Sequence, residues 1–184
     1  MKARKIITIT LLALAAVAVV ALALWRFLPR SLGDVLNGDP GAAASMAAQV
    51  AVTGISGGKA ATDTYTLEAL SPDSEHFAAI LEILEGTNYR PSFRNLLPWP
   101  LTSVAAEGLK DGRSVMVFLV WGDSLESSAT LHLQTESQAV VSLGTEDGFR
   151  IYHPTDPEAH AALANYLEAH GVSDGTSPSQ PLSD

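Results

Sequence analysis

The sequence predicts an α+β domain: an antiparallel β-sheet of about five to seven strands with two α-helices packed on one face, preceded by an apolar helix. Three observations lead there. Two segments carry apolar stripes at helical spacing between matching start and stop residues. Between residues 49 and 153 most other runs alternate or are rich in β-branched residues. The links joining successive runs beyond Ser114 are short, whereas a parallel crossover needs about a dozen or more residues.

In chain order, Ile6 to Leu24 comes first, a run of 19 residues without charge, relieved only by Thr8 and Thr10. A helix of that length covers roughly 28 Å, close to the hydrocarbon thickness of a bilayer. Lys2, Arg4 and Lys5 precede it; Trp25, Arg26, Phe27 and Arg30 follow, residue types that favour the headgroup layer. The expected organisation is a basic cytoplasmic start (1–5) and a transmembrane signal-anchor (6–28). The run exceeds the roughly 7–15 residues of an export signal's apolar core, which favours an uncleaved anchor. Cleavage near Ala23, with secretion of the remainder, is the alternative. Three cations before the span against two after it favour an extracytoplasmic C-terminal domain.

Residues 29–48 mix Pro, Gly, Asp and Ala and read as a stalk, with a helical turn at Ser31–Leu36 and a turn at Asn37–Pro40. Gln49–Ser56 and Ala61–Ala69 flank Gly57-Gly58-Lys59, the pattern of a hairpin. The first helix opens at Ser71-Pro72-Asp73 and closes at Gly86, with Phe77, Ile80, Leu81 and Leu84 on one side. The second opens at Asp156-Pro157-Glu158 and closes at Gly171, with Ala159, Leu163, Tyr166 and Leu167 on one side. Ser71 and Asp156 are the expected caps, each Pro suits a first helical position, and each Gly suits a left-handed terminus. Ser114–Trp121 is apolar on both faces, as in a central strand, and Ala129–Gln134 alternates. Gln138–Leu143 and Phe149–His153 complete a meander, giving the order ββαβ-ββββα. The domain spans 49–171, and the Ser-, Pro- and Asp-rich segment 172–184 reads as a disordered tail.

Charge divides the chain. Residues 31–184 hold six of the 11 cations and all 20 acids, a formal charge of −14. So acidic a body makes no nucleic-acid partner, since phosphate neutralisation needs a basic face. The absence of cysteine excludes a disulfide scaffold, a thiolate metal site and a Cys nucleophile.

Catalytic patterns are thin. Gly54-Ile55-Ser56-Gly57-Gly58 satisfies G-x-S-x-G and Ser56-x-x-Lys59 satisfies S-x-x-K, yet both motifs need a helix where Ala61–Thr66 reads as strand. Gly58-Lys59-Ala60 lacks the hydroxyl residue of a phosphate loop. No two of the five histidines stand at i, i+4; His153, Asp156, Glu158 and His160 surround a helix start and read as solvated cap residues. No catalytic, metal-binding or cofactor-binding residue is assigned, and no cofactor is expected.

The most unusual segment is 89–101, which joins three prolines to Tyr89, Phe93, Trp99, Arg90 and Arg94. Read as extended over Tyr89–Asn95, it puts Arg90 and Arg94 on one face. Arg and aromatic residues on a stiff loop are the composition of a recognition surface, which makes these five the candidate contacts for a ligand or partner. Read structurally instead, the aromatics plug the core and the arginines pair with nearby acids.

The basic start and span, Ser31–Leu36 with Asp39-Pro40, the strand pair, the helix through Phe77–Leu81 and Tyr89-Arg90-Pro91 together resemble the layout of short, uncharacterised, membrane-anchored single-domain proteins of Gram-positive bacteria. The resemblance implies location and organisation, and no catalytic residue. The expected function is a non-catalytic module, tethered to the lipid bilayer through residues 6–28, that binds an envelope protein, peptide or ligand. A small exported hydrolase and a structural or assembly subunit of an envelope complex are the alternatives.

Overall fold

Every strand in the sheet pairs antiparallel with its neighbours. The computed structural model describes residues 2–56, 59–96, 112–122, 125–135, 138–144 and 149–178. The strands are β1 (Ser45–Ser56), β2 (Lys59–Leu70), β3 (Tyr89–Pro91), β4 (Gly112–Val120), β5 (Ser128–Thr135), β6 (Gln138–Leu143), β7 (Arg150–Pro154) and β8 (Val172–Pro178). The helices are α1 (Lys2–Arg26), α2 (Leu32–Leu36), α3 (Glu75–Glu85) and α4 (Glu158–His170). The eight strands lie in the order β3-β7-β6-β5-β4-β1-β2-β8. The expected meander is β4 to β7, and the expected hairpin is β1–β2, whose register closes at Ser56 opposite Lys59.

One face of the sheet is dry. Met46, Ala48 and Val50 of β1, Val115, Val117 and Leu119 of β4 and Leu131 and Leu133 of β5 share a core with Phe77, Ile80 and Leu84 of α3 and Leu163, Ala164 and Leu167 of α4. Alternation along each strand sends the intervening residues to the other face. There Ser114, Met116, Phe118 and Val120 of β4 are only half-buried, so this strand is central without being equally buried on both sides.

Two terminal segments belong to the fold, contrary to the sequence reading. Residues 29–48 are no free stalk. Ser31 and Asp34 cap α2 reciprocally, Asn37 closes it at φ 57, and Leu32, Val35 and Leu36 enter the core. The Trp121 indole N–H donates to the Asp39 carbonyl at 2.8 Å, fastening the next turn. At the other end Val172–Pro178 is a strand, not a frayed tail. It pairs with β2 from Thr66 to Ala61, because ladder hydrogen bonds order a polar segment that has few apolar side chains to bury.

Helix ends also differ. α3 begins three residues after Pro72, and its cap is Ser74, whose hydroxyl accepts from the His76 N–H at 3.2 Å. At α4 the Asp156 carboxylate accepts from the Glu158 N–H at 2.9 Å, as a cap should. Neither Gly86 nor Gly171 is left-handed. Gly171 is needed for space instead: a Cβ there would meet the Leu167 carbonyl at 2.6 Å and the Thr66 nitrogen at 3.0 Å.

Among the described residues, no helix is long and apolar enough to cross a membrane. The expected transmembrane segment is therefore no part of what the fold establishes.

Candidate functional site

The segment after α3 begins with Tyr89, and the structure buries it completely. Its hydroxyl donates to the Leu84 carbonyl at 3.0 Å, and burial pushes the phenol well above its ordinary pKa. Tyr89 is thus a core residue and not a contact residue, because nothing outside the protein can reach its ring. Its backbone holds the chain emerging from α1: Arg30 N–H donates to the Tyr89 carbonyl at 3.0 Å and Tyr89 N–H to the Arg30 carbonyl at 2.9 Å.

Extended structure stops at Pro91, so Arg90 and Arg94 are not related by strand alternation. Phe93–Leu96 instead form a single 3-10 turn. Ser92 sets the turn by donating its N–H to Ile151 at 2.9 Å while its hydroxyl accepts from Arg94 N–H at 3.3 Å. Asn95 closes it against β7: its amide donates to the Ile151 carbonyl at 2.7 Å and accepts from the Ile151 N–H at 2.8 Å. The side chain thereby continues the ladder where the strand ends. Held this way, Arg90, Phe93, Arg94 and Leu96 all remain exposed. Phe93 also meets Phe27, with ring centroids 4.1 Å apart and planes tilted by 36°. Of the five expected contact residues, Arg90, Phe93 and Arg94 share one exposed turn, Tyr89 is internal, and Trp99 lies outside the described residues.

A second arrangement had no signal in the sequence. On the open face of the sheet the Ser114 hydroxyl lies 2.6 Å from His132 Nε2. Burial lowers the pKa of His132, which favours the neutral ring that a general base requires. The pair arises because β4 and β5 match Met116 with His132, placing Ser114 one diagonal step away on the same face. An acyl-transfer site also needs preorganised donors for an oxyanion, often backbone N–H groups. Here β4 is laddered to β1 from Gly112 to Val120 and to β5 from Val115 to Val120, which engages the backbone beyond Ser114 on both sides.

The remaining histidines sort by burial. His160 is internal, whereas His153, Asp156 and Glu158 are exposed, so the four do not converge. Among the described residues, no group of three or more His, Asp or Glu is placed to hold a metal ion. His76 of α3 pairs instead with Tyr166 of α4, Nδ1 to hydroxyl 2.8 Å, beside the His170 ring. Partial desolvation and then the Glu75 charge raise the Tyr166 phenol. This cluster joins the two helices. Ser56 ends β1 and is followed by β2 rather than by a helix, which removes the backbone context of a nucleophile elbow.

No protein-family model, curated protein or solved structure matches the chain.

Proposed function

We propose that the protein is a membrane-tethered, non-catalytic binding module, with α1 in the bilayer and the acidic α+β domain presented outside the cytoplasmic membrane. The carrying observation is the surface of α1. Its large apolar side chains, among them Leu11, Leu14, Val17 and Leu22, are each about 60% exposed or more. Fully burying one such side chain is worth about 1.5–3 kcal/mol, so several together favour an apolar surrounding strongly. The sequence from Ile6 to Leu24 carries no charge. The resemblance of the layout to short membrane-anchored proteins is in keeping with this reading.

Tethering raises the domain's effective concentration for whatever shares its surface. A formal charge of −14 on residues 31–184 favours a basic envelope protein or peptide as the partner. The hydrolase reading rests on the Ser114–His132 contact alone.

Protease shaving of intact cells carrying a C-terminal tag tests the assignment, with the tagged product sized beforehand. Loss of the tag from intact cells, at full-length size before digestion, is the expected result. A tag that survives until lysis places the domain in the cytoplasm and overturns it; a product shortened by about 23 residues means cleavage and secretion.

A further inference from the structure

We infer that the turn at Arg90–Leu96 is a foot that seats the domain on anionic lipid headgroups, beside the point where α1 leaves the bilayer. The inference rests on the membrane-tethered reading and names the partner of that exposed turn.

Position comes first. The end of α1 and the turn are one surface, joined by the Phe27–Phe93 ring contact and by the paired hydrogen bonds between Arg30 and Tyr89. If α1 is in the bilayer, Phe93 is within a ring's width of the helix end and has no way to be far from the headgroups. Sheet order extends the argument. β3 is one edge and β8 the other, seven strand spacings apart, or roughly 34 Å at about 4.8 Å each. Arg30 bridges to the β3 edge, so the sheet meets the membrane edge-first.

Composition is the second argument. Trp25 and Phe93 are each 72% exposed, and Leu28 and Leu96 each 52%. Exposed aromatic and apolar side chains in one place are what a surface pressed into the headgroup–acyl boundary requires. Four arginines accompany them: Arg26 and Arg30 at the helix end, Arg90 and Arg94 on the turn. No acid occurs in residues 25–33 or 89–96, although the chain has 20. Asp34, next in sequence, is turned onto the Ser31 hydroxyl at 2.8 Å as a helix cap. Away from this edge Arg113 is bound to Glu168 at 3.2 Å. A cationic edge on so acidic a body is complementary to anionic lipid, whereas the rest of the domain is repelled by it. Guanidinium groups also hold phosphate oxygens in pairs. The seat works for either orientation of α1.

The absence of cysteine permits single-site labelling of the full chain. Val17→Cys, Leu96→Cys and Glu68→Cys are labelled with an environment-sensitive fluorophore and reconstituted into phosphatidylcholine vesicles with or without phosphatidylglycerol. Quenching by spin-labelled lipid is then read. The expected result is strong quenching at 17 in both vesicles, at 96 chiefly with phosphatidylglycerol, and none at 68 on distant β2. Arg90→Glu with Arg94→Glu should at least halve quenching at 96 and leave 17 unchanged; Phe93→Ser should act in the same direction. Quenching at 17 without quenching at 96 overturns the foot and leaves the tether standing. No quenching at 17 overturns the tether and the foot with it. Equal quenching at 96 in both vesicles overturns the anionic-headgroup assignment. Shielding of 96 that depends on protein concentration in lipid-free micelles identifies a second copy as the occupant and also overturns it.

Discussion

Asn95 grips the backbone of Ile151 with both ends of its amide, donating to the carbonyl at 2.7 Å and accepting from the N–H at 2.8 Å. A side chain thus does the work of a strand at the edge of the sheet, and the exposed turn that carries Phe93 and Arg94 depends on it. Asn95→Ala should cost about 1–3 kcal/mol, since the buried Ile151 N–H loses its partner while the carbonyl keeps only the Ser92 N–H. Hydrogen exchange is the decisive measurement. Protection of the Ile151 amide should fall sharply while amides of β1 and β4 keep theirs. Uniform loss across the sheet would mean that the clamp supports the whole fold and not the turn.

Ala69 offers a gain. It holds a left-handed backbone at φ 53, in a bulge where Met46 pairs with Leu70 but Ala48 with Leu67. An L-residue there is strained and Gly is not. Ala69→Gly should raise stability by about 1 kcal/mol, or roughly 2–4 °C in Tm for a chain of this size. A lowered Tm in the full chain in micelles would show that unfolded-state entropy outweighs the relief.

His132 gives the domain a pH dependence of predictable sign. Burial lowers its pKa in the folded state, so the unfolded chain takes up the proton more readily. Its contribution is fully present above the ordinary value near 6.5 and is lost as pH falls through the lower folded value. The imidazolium can still donate to Ser114, but no longer accepts from it. Tm measured from pH 7.5 to 5 should decline less steeply in His132→Gln than in the parent. Parallel curves would show that His132 does not carry the acid sensitivity.

The segment 31–44 should prove indispensable. Leu32→Ala removes a side chain that is almost wholly buried, at a cost of about 2–5 kcal/mol. A chain starting at residue 29 should unfold cooperatively on heating, whereas one starting at 49 should not. Cooperative unfolding of the shorter chain would restore the stalk.

Ser114 should remain inert. With the ladders holding the nearby N–H groups, a fluorophosphonate probe should leave it unmodified under conditions that label a serine hydrolase to completion. Stoichiometric labelling that is lost in Ser114→Ala would revive the hydrolase.

Periodicity revealed whatever buries a stripe. The β1–β2 hairpin, the β4–β7 meander and the faces of α3 and α4 follow from alternation, short links and helical spacing, whereas the places of β3 and β8 and the pairing of β4 with β1 do not. What it missed was held by other forces. α2 is five residues long, too short to show a period, and its burial depends on the core it enters. β8 is polar and owes its order to pairing with β2, which composition cannot register. In the 89–96 segment, aromatic and cationic residues were visible, but not which would turn inward: the strand ends at Pro91, and Phe93 opens a 3-10 turn that Ser92 and Asn95 hold through contacts with distant Ile151. The Ser114–His132 pair depends on strand register, which a separation of 18 in sequence does not fix.

The Arg30–Tyr89 pair also determines how the molecule would respond to pulling. A load applied along α1 reaches the Phe27–Phe93 contact and then two backbone hydrogen bonds at the rim of the sheet before it reaches the core. Once they part, tension passes along the chain to α2 and then to β1, laddered along most of its length to both neighbours. The junction is a mechanical fuse: under strain the domain lengthens its own leash by releasing the rim, while the sheet behind it stays whole.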